Sequence, residues 1–398
     1  MRILFLLIFL APLQEKPEWK RLEEALRPPK LAKYDITTWP GRPLSELSSP
    51  EALALLGKFA ERPGDLGLKT PVERALFQRL LWAYFDGQLR SWKFVDTRRF
   101  ENLRRGDPPP QPNQEKPQEI LALVARLIQA LALTEEEIRA LPDPYAKTVA
   151  SKAYAASFDP DKLDQPFLPQ DLEFPDGPWV SLGNSTDVPL ALRHANGFAA
   201  RSSFHIYLRA PAGRAAALEL IKSIEDYRGA VEAPTLPIDA QVALLERPFL
   251  ITREGKLVPS PLTETVEFRI FHKPEIRSSS LNLPDVQPVF RFKLRPDLFA
   301  SGDAAPLRAR LPDRKEDFEP FSQLVDNGRL GGYPTVEPAT RHCSNCHSHK
   351  QARSMGIYEI RSGRDGKLQP LAPGVEIGRI LKLKEKDVTW TELMSLWK

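Results

Sequence analysis

Cysteine is almost missing from this chain, which holds two in 398 residues. One disulfide is the most it can form, so a disulfide framework of the small-secreted kind is excluded. Methionine is nearly as scarce, with only Met355 and Met394 after the initiator. Long hydrophobic runs are missing too. The single exception, Ile3 to Leu10, is too short to cross a bilayer. Charge of one sign is not in excess either: a formal net of +4 is small for this length and gives no reason to expect nucleic acid. There is no internal repeat, no P-loop and no G-x-G-x-x-G, and no Ser-His-Asp or paired-carboxylate arrangement stands out from the scattered acids.

What is plentiful is proline. Its 39 residues predict many short elements joined by rigid loops. The 42% of hydrophobic residues is enough to bury a real core. Met1-Arg2 followed by the apolar run to Leu10 predicts a secretory signal peptide over residues 1–14. No cysteine follows it, so a lipoprotein anchor is excluded. The mature chain is expected to have no membrane span and to be periplasmic or secreted.

The pattern that follows predicts an α+β protein. Residues 15–145 read as a helical module. Ser49-Pro50 opens one helix, and the capping boxes Thr70–Glu73 and Thr134–Glu137 open two more. Val72, Leu76, Leu80 and Tyr84 form one helical row, and Ile120, Leu123, Val124, Leu127 and Leu131 a second. Recurrent prolines from Asp143 to Pro178 mark a boundary. Residues 179–316 then read as a mostly antiparallel, β-rich domain. Phe204, Ile206 and Leu208 alternate with His205, Tyr207 and Arg209, which predicts a half-buried strand with one polar face. Similar alternation runs through Val266, Phe268, Ile270 and through Phe290, Phe292, Leu294, while Arg253-Glu254-Gly255 marks a hairpin. Residues 317–398 form a closing segment ending in a helix, with Trp390, Leu393, Met394 and Trp397 on one face and a capping box at Thr389–Glu392.

That closing segment contains both cysteines, in Cys343-Ser344-Asn345-Cys346-His347. C-x-x-C-H is the spacing of covalent haem attachment. On a helical turn, positions i, i+3 and i+4 share a face. Two thiols could then add to the vinyl groups of one porphyrin edge while the adjacent imidazole reaches the iron. Three other readings use the same atoms: a structural disulfide, a thioredoxin-like redox pair, and a zinc site built from Cys343, Cys346, His347 and His349.

The stretch resembles the c-type cytochromes. The resemblance covers the motif and its immediate flanks, under a tenth of the chain. It implies one covalent haem c, with Cys343 and Cys346 as thioether links and His347 as proximal ligand. It also implies attachment outside the bacterial cytoplasm, which agrees with the leader. The layout as a whole looks like that of uncharacterised secreted bacterial single-haem proteins. The sixth iron position decides the function. Met394 is the candidate sulfur ligand. Met355 and His205 compete with it, His205 because Tyr207 and Arg209 share its face, and His194 and His272 follow. His342 and His349 lie too close to His347 to reach the other face, and Arg341, Lys350 and Arg353 are the nearest cations for the propionates. From Arg341 to Lys398 the net charge is +5, which suits an acidic redox partner; a solvated basic tail explains the charge equally well. The expected function is electron transfer in the bacterial envelope. The alternatives are a haem peroxidase-like oxidoreductase with an open distal side, or a zinc- or disulfide-containing secreted binding protein.

Overall fold

The computed structural model describes residues 17–26, 50–86, 89, 117–162, 164–197, 199–225, 236–271, 288–310 and 368–397. Within them the chain is α+β, with a helical N-terminal region and one antiparallel eight-stranded sheet. The helices of the first part begin where local chemistry favours a start. α1 (Glu18–Leu26) is followed by α2 (Pro50–Glu61), which opens on proline. Residues 71–86 form α3. At its start the Glu73 amide donates to the Thr70 hydroxyl (3.1 Å) and the Thr70 amide donates to the Glu73 carboxylate (2.8 Å). After α4 (Pro117–Ala130), the same reciprocal pair at Thr134 and Glu137 opens α5 (Glu135–Arg139). Asp143 caps α6 (Pro144–Ala150) by accepting from the Tyr145 amide at 2.9 Å. These caps satisfy amides that the helix itself leaves without a partner.

The strands are β1 (Val180–Asn184), β2 (Ser202–Arg209), β3 (Ala240–Ile251), β4 (Leu257–Pro259), β5 (Thr265–Phe271), β6 (Val289–Leu294), β7 (Leu307–Arg310) and β8 (Leu368–Pro370). They lie in the order β7-β6-β5-β3-β2-β1-β8, with β4 paired to the end of β3. Two short helices, α7 (Leu192–Gly197) and α9 (Pro296–Ala300), and the longer α8 (Arg214–Glu225) fill the connections. The β3–β4 turn uses Gly255 at φ +74°, a conformation that disfavours a side chain.

Each face of the sheet carries a core. On one, Phe204, Ile206 and Leu208 of β2 pack with Phe59, Leu81, Trp82, Phe85, Val124 and Leu127 of the N-terminal helices, so helices and sheet share a single apolar cluster. On the other, Val266, Phe268 and Ile270 of β5 meet Phe290, Phe292, Phe167 and Trp179. This second core corrects the expectation of a solvated polar face on β2: Ser203, His205 and Tyr207 are buried beneath the chain that precedes β1.

α3 also differs from a simple amphipathic helix. Its second half is buried on all sides, because it lies between the sheet and α4. Gln78 there acts as a piece of strand. Its side-chain nitrogen donates to the Ile251 carbonyl (2.9 Å) and its oxygen accepts from the Ile251 amide (3.1 Å).

The C-terminal residues return to the same body. β8 pairs with β1, and α10 (Pro373–Glu385) and α11 (Val388–Ser395) follow. Gly183 of β1 is passed so closely that a Cβ there would sit 2.4 Å from Leu371 Cδ2. Glu376, buried at the start of α10, accepts from the Leu190 amide at 2.7 Å and from Arg379, which also donates to the Asn184 carbonyl at 2.9 Å. The last helix begins earlier than the Thr389–Glu392 capping box predicts. Asp387 is the cap, accepting from the Thr389 amide (2.7 Å) and hydroxyl (2.6 Å), because the Thr389 side chain is also engaged by Lys384.

Candidate functional site

Cys343, Cys346 and His347 lie outside the described residues, as do Met355, His272, His342, His349, Arg341, Lys350, Arg353 and the leader at residues 1–14. What is fixed is the frame around the motif. Arg310 ends β7 at one edge of the sheet and Leu368 begins β8 at the opposite edge. Six inter-strand steps separate those edges, about 29 Å along the sheet. The motif therefore belongs to a connection joined at both ends to the same sheet.

Met394 lies on α11, half-buried against the first core. Its Sδ would stand 3.5 Å from a Cβ on Gly255, beside the indole nitrogen of Trp397. Trp390 and Leu393 of the same helix are buried, and Trp390 tilts against Trp82 with ring centroids 6.1 Å apart.

His205 is enclosed, with its Nε2 3.2 Å from the Ser203 hydroxyl. Burial, assisted by the Arg247 charge, pushes its pKa down to about 4, so the ring is neutral at pH 7. Its neighbour Tyr207 meets Glu173 at 3.4 Å. Glu173 and Asp143 share Arg247, at 2.6 and 3.0 Å. Arg209 stacks over Trp179 with 5.9 Å to the ring centroid. His205, Tyr207 and Arg209 thus share a face, as their spacing implies, and that face is engaged internally. His194, on α7, packs against Phe204 with ring centroids 5.6 Å apart, and burial lowers its pKa. Among the described residues no three His, Cys, Asp or Glu side chains converge as a metal site.

The strongest electrostatic feature is one that periodicity alone does not reveal. Asp86 at the end of α3, Arg201 at the entry to β2 and Lys384 on α10 meet with each side chain at most 1% exposed. Asp86 Oδ2 accepts from Arg201 Nη1 at 2.6 Å and from Lys384 Nζ at 2.5 Å. Lys384 also donates to Thr389 Oγ1 at 2.8 Å and stands 5.2 Å from the Trp82 ring centroid. Burial alone would raise the Asp86 pKa, but Lys384 and Arg201 together hold it below the ordinary value. Burial pushes the Lys384 pKa down to about 8 against the pull of Asp86. Part of the basic C-terminal charge is therefore consumed inside the fold. The readable signal was a charge set within apolar periodic segments: Asp86 after Trp82 and Phe85, Lys384 after Ile380 and Leu381.

Arg201 is delivered by an unusual turn, since Ala199 and Ala200 both have left-handed backbones, at φ +53° and +54°. Such conformations disfavour a Cβ and persist only where the surroundings impose them. The cluster joins the N-terminal helices, the sheet and the C-terminal helices at one point. It therefore helps hold the C-terminal helices that follow the motif-bearing connection. The chain matches no family model, no curated protein and no solved structure.

Proposed function

We propose that this is an exported, c-type cytochrome-like protein that carries one covalent haem and transfers electrons in the bacterial envelope. The observation that carries this reading is the five-residue run from Cys343 to His347, which holds both thiols of the chain and an adjacent imidazole. The apolar leader supports it, because it directs the chain out of the cytoplasm. The donor set fits the group: Cys343 and Cys346 would hold a porphyrin as thioethers, and His347 would be the proximal ligand. When bound, haem supplies an iron that cycles between two oxidation states.

The protein's own contribution is positional. Strands β7 and β8 fix both ends of the connection that carries the motif, and the Asp86–Arg201–Lys384 cluster locks the C-terminal helices against the sheet. Met394 is the proposed distal ligand, on a helix whose Trp390 and Leu393 are anchored in the core. The +5 charge from Arg341 to Lys398 favours an acidic redox partner, although Lys384 within it is internal.

The test is expression with a haem-maturation system. The expected product stains for haem on a denaturing gel, weighs one haem more than its polypeptide and shows a sharp reduced alpha band. Cys343→Ala or Cys346→Ala weakens the covalent attachment. A product of bare polypeptide mass overturns the reading, and colourless protein with one bound zinc installs the metal-site alternative. Met394→Ala is expected to abolish a near-infrared sulfur–iron band; an unchanged spectrum removes Met394 as ligand. Carbon monoxide binding to the reduced wild type would favour the open-sited oxidoreductase.

A further inference from the structure

β7 closes one side of the sheet, and side chains occupy its outer edge where a further strand would lie. Pairing with β6 sets Leu307 opposite Leu294 and Ala309 opposite Phe292. The Arg295 amide donates to the Pro306 carbonyl across this pair at 3.0 Å, so by alternation the backbone groups of Leu307 and Ala309 point away from β6. Such groups on an edge strand are a template for another chain. Here the Leu307 amide donates to the Thr148 hydroxyl at 3.1 Å and the Ala309 amide to the Tyr154 hydroxyl at 3.0 Å. The Tyr154 hydroxyl turns its own proton to the Leu307 carbonyl at 3.4 Å, so it both accepts and donates, as a neighbouring backbone would.

Both hydroxyls come from one stretch of chain. Lys147 ties it to the β6–β7 connection by donating to the Gly302 and Asp303 carbonyls at 3.2 and 3.0 Å. Beyond α6 the chain turns at Lys152, whose φ of +55° is a conformation that glycine usually supplies past a helix end. A lysine persists there only where its surroundings impose it. The turn brings Tyr154 edge-on to Phe292, with ring centroids 4.8 Å apart. We propose that residues 147–155 are a strap that occupies the strand-addition edge of β7 and keeps a second copy of this chain from pairing there. Charge is not the barrier in the middle of the strand, because Arg308 is matched by Asp303 of its own chain at 3.1 Å. With the strap gone, two β7 strands related by a twofold axis would meet antiparallel, Leu307 of one copy opposite Ala309 of the other. Their amides and carbonyls would then exchange the bonds that the strap now supplies. The proposal is independent of the haem reading.

The test is the mass of the full-length protein in solution, by light scattering over rising concentration, with folding checked by circular dichroism. Tyr154→Ala vacates the edge and is expected to double the mass that the wild type shows at the same concentration. Adding Ala309→Pro removes one outward amide at a position where an edge strand tolerates proline, and returns the wild-type mass. Ala309→Pro alone leaves that mass unchanged. Tyr154→Phe keeps the ring on Phe292 and loses only the hydroxyl; its Ala309 amide should exchange about fivefold faster, as expected for one lost hydrogen bond, and its mass should double at the highest concentrations. Folded Tyr154→Ala of wild-type mass, doubling that survives Ala309→Pro, or a wild type whose mass falls on Ala309→Pro overturns the proposal. So does Tyr154→Phe with unchanged Ala309 exchange or with wild-type mass throughout, and that variant decides alone if Tyr154→Ala does not fold.

Discussion

Removing the carboxylate of the buried cluster should do far more damage than removing either cation. Asp86 stands between Arg201 and Lys384 with all three side chains out of solvent, so the cluster has two positive charges and one negative. Asp86→Asn removes the carboxylate that both buried cations contact, and breaking a buried ion pair from one side costs about 3–5 kcal/mol. That is a large share of the roughly 5–15 kcal/mol that holds a folded domain together. Lys384→Met keeps most of the aliphatic stem and leaves Asp86 and Arg201 as a balanced pair at 2.6 Å. Its losses are a hydrogen bond to Thr389, about 1 kcal/mol, and the charge near the Trp82 ring, about 0.5–2 kcal/mol. Against these stands the removal of an ion whose burial costs several kcal/mol, so the net effect is about 1 kcal/mol or less. Urea unfolding at pH 7, followed by circular dichroism, should show this asymmetry. The double variant should be more stable than Asp86→Asn alone, because one stranded cation is gone. The pH dependence adds a second readout. Lys384 titrates at about 8 when folded against an ordinary value of 10.5, so between these values the unfolded chain holds the extra proton. The stability tied to this group therefore rises from pH 8 to 10.5, and Lys384→Met flattens that rise. An Asp86→Asn loss under about 1 kcal/mol, or equal damage from Lys384→Met, refutes the reasoning.

Two further outcomes follow from single residues. Ala200, at φ +54°, should gain stability on change to glycine: relief of about 1–2 kcal/mol of left-handed strain exceeds the added entropy of the unfolded chain, about 0.4–1 kcal/mol, and a lower melting temperature for Ala200→Gly rejects the strain argument. His205 is neutral in the fold with a pKa of about 4 against an ordinary 6.5, so the unfolded state protonates first as pH falls through that window. Up to about 3 kcal/mol of stability is lost between those values, and His205→Gln should unfold less steeply from pH 6.5 to 4 in acid titrations.

Much of the sheet could be read from alternation, because β2, β5 and β6 bury whole rows of apolar side chains, and β3 could be read from the hairpin at Arg253-Glu254-Gly255. The strands that escaped are those where alternation carries least. β7 is four residues long and carries Arg308 and Arg310, and β8 is three residues long and ends in Pro370. An edge strand tolerates that proline because its amide need not join the ladder. α10 was hidden for a different reason: Glu376 and Lys384 stand among its buried positions, where a search for an apolar stripe expects leucine or valine. Their partners, the Leu190 amide and Asp86, are remote in sequence and invisible to periodicity. The row Val72, Leu76, Leu80 identified α3 but not its depth, since Phe77, Leu81 and Phe85, which lie off that row, are buried too. The run from Cys343 to His347 stands out in the sequence because the covalent attachment proposed for it requires fixed spacing. The buried cluster does not, because tertiary packing creates it.

The far end of the motif-bearing connection is held by contacts that close over very long sequence separations. Asp86 and Lys384 are 298 residues apart, and Leu190 and Glu376 are 186 apart. Residues 368–397 supply an edge strand, the buried Leu368, Ile380, Trp390 and Leu393, and the lysine of the central cluster. Four buried side chains of this kind contribute about 1.5–3 kcal/mol each, and detaching them would also strand Asp86 with a partner missing. The segment 368–397 is thus an integral part of the fold, docked through one edge strand and the buried side of two helices. A protease site engineered within residues 311–367 of the full-length protein and then cut should leave a complex that co-elutes on gel filtration at micromolar concentration. Adding Asp86→Asn to the cut protein should release the C-terminal piece, since covalent continuity no longer compensates for the lost clamp. Separation of the fragments without that substitution would mean that residues 368–397 are docked too weakly to fix the motif's far end, and the positional role assigned to them would fail.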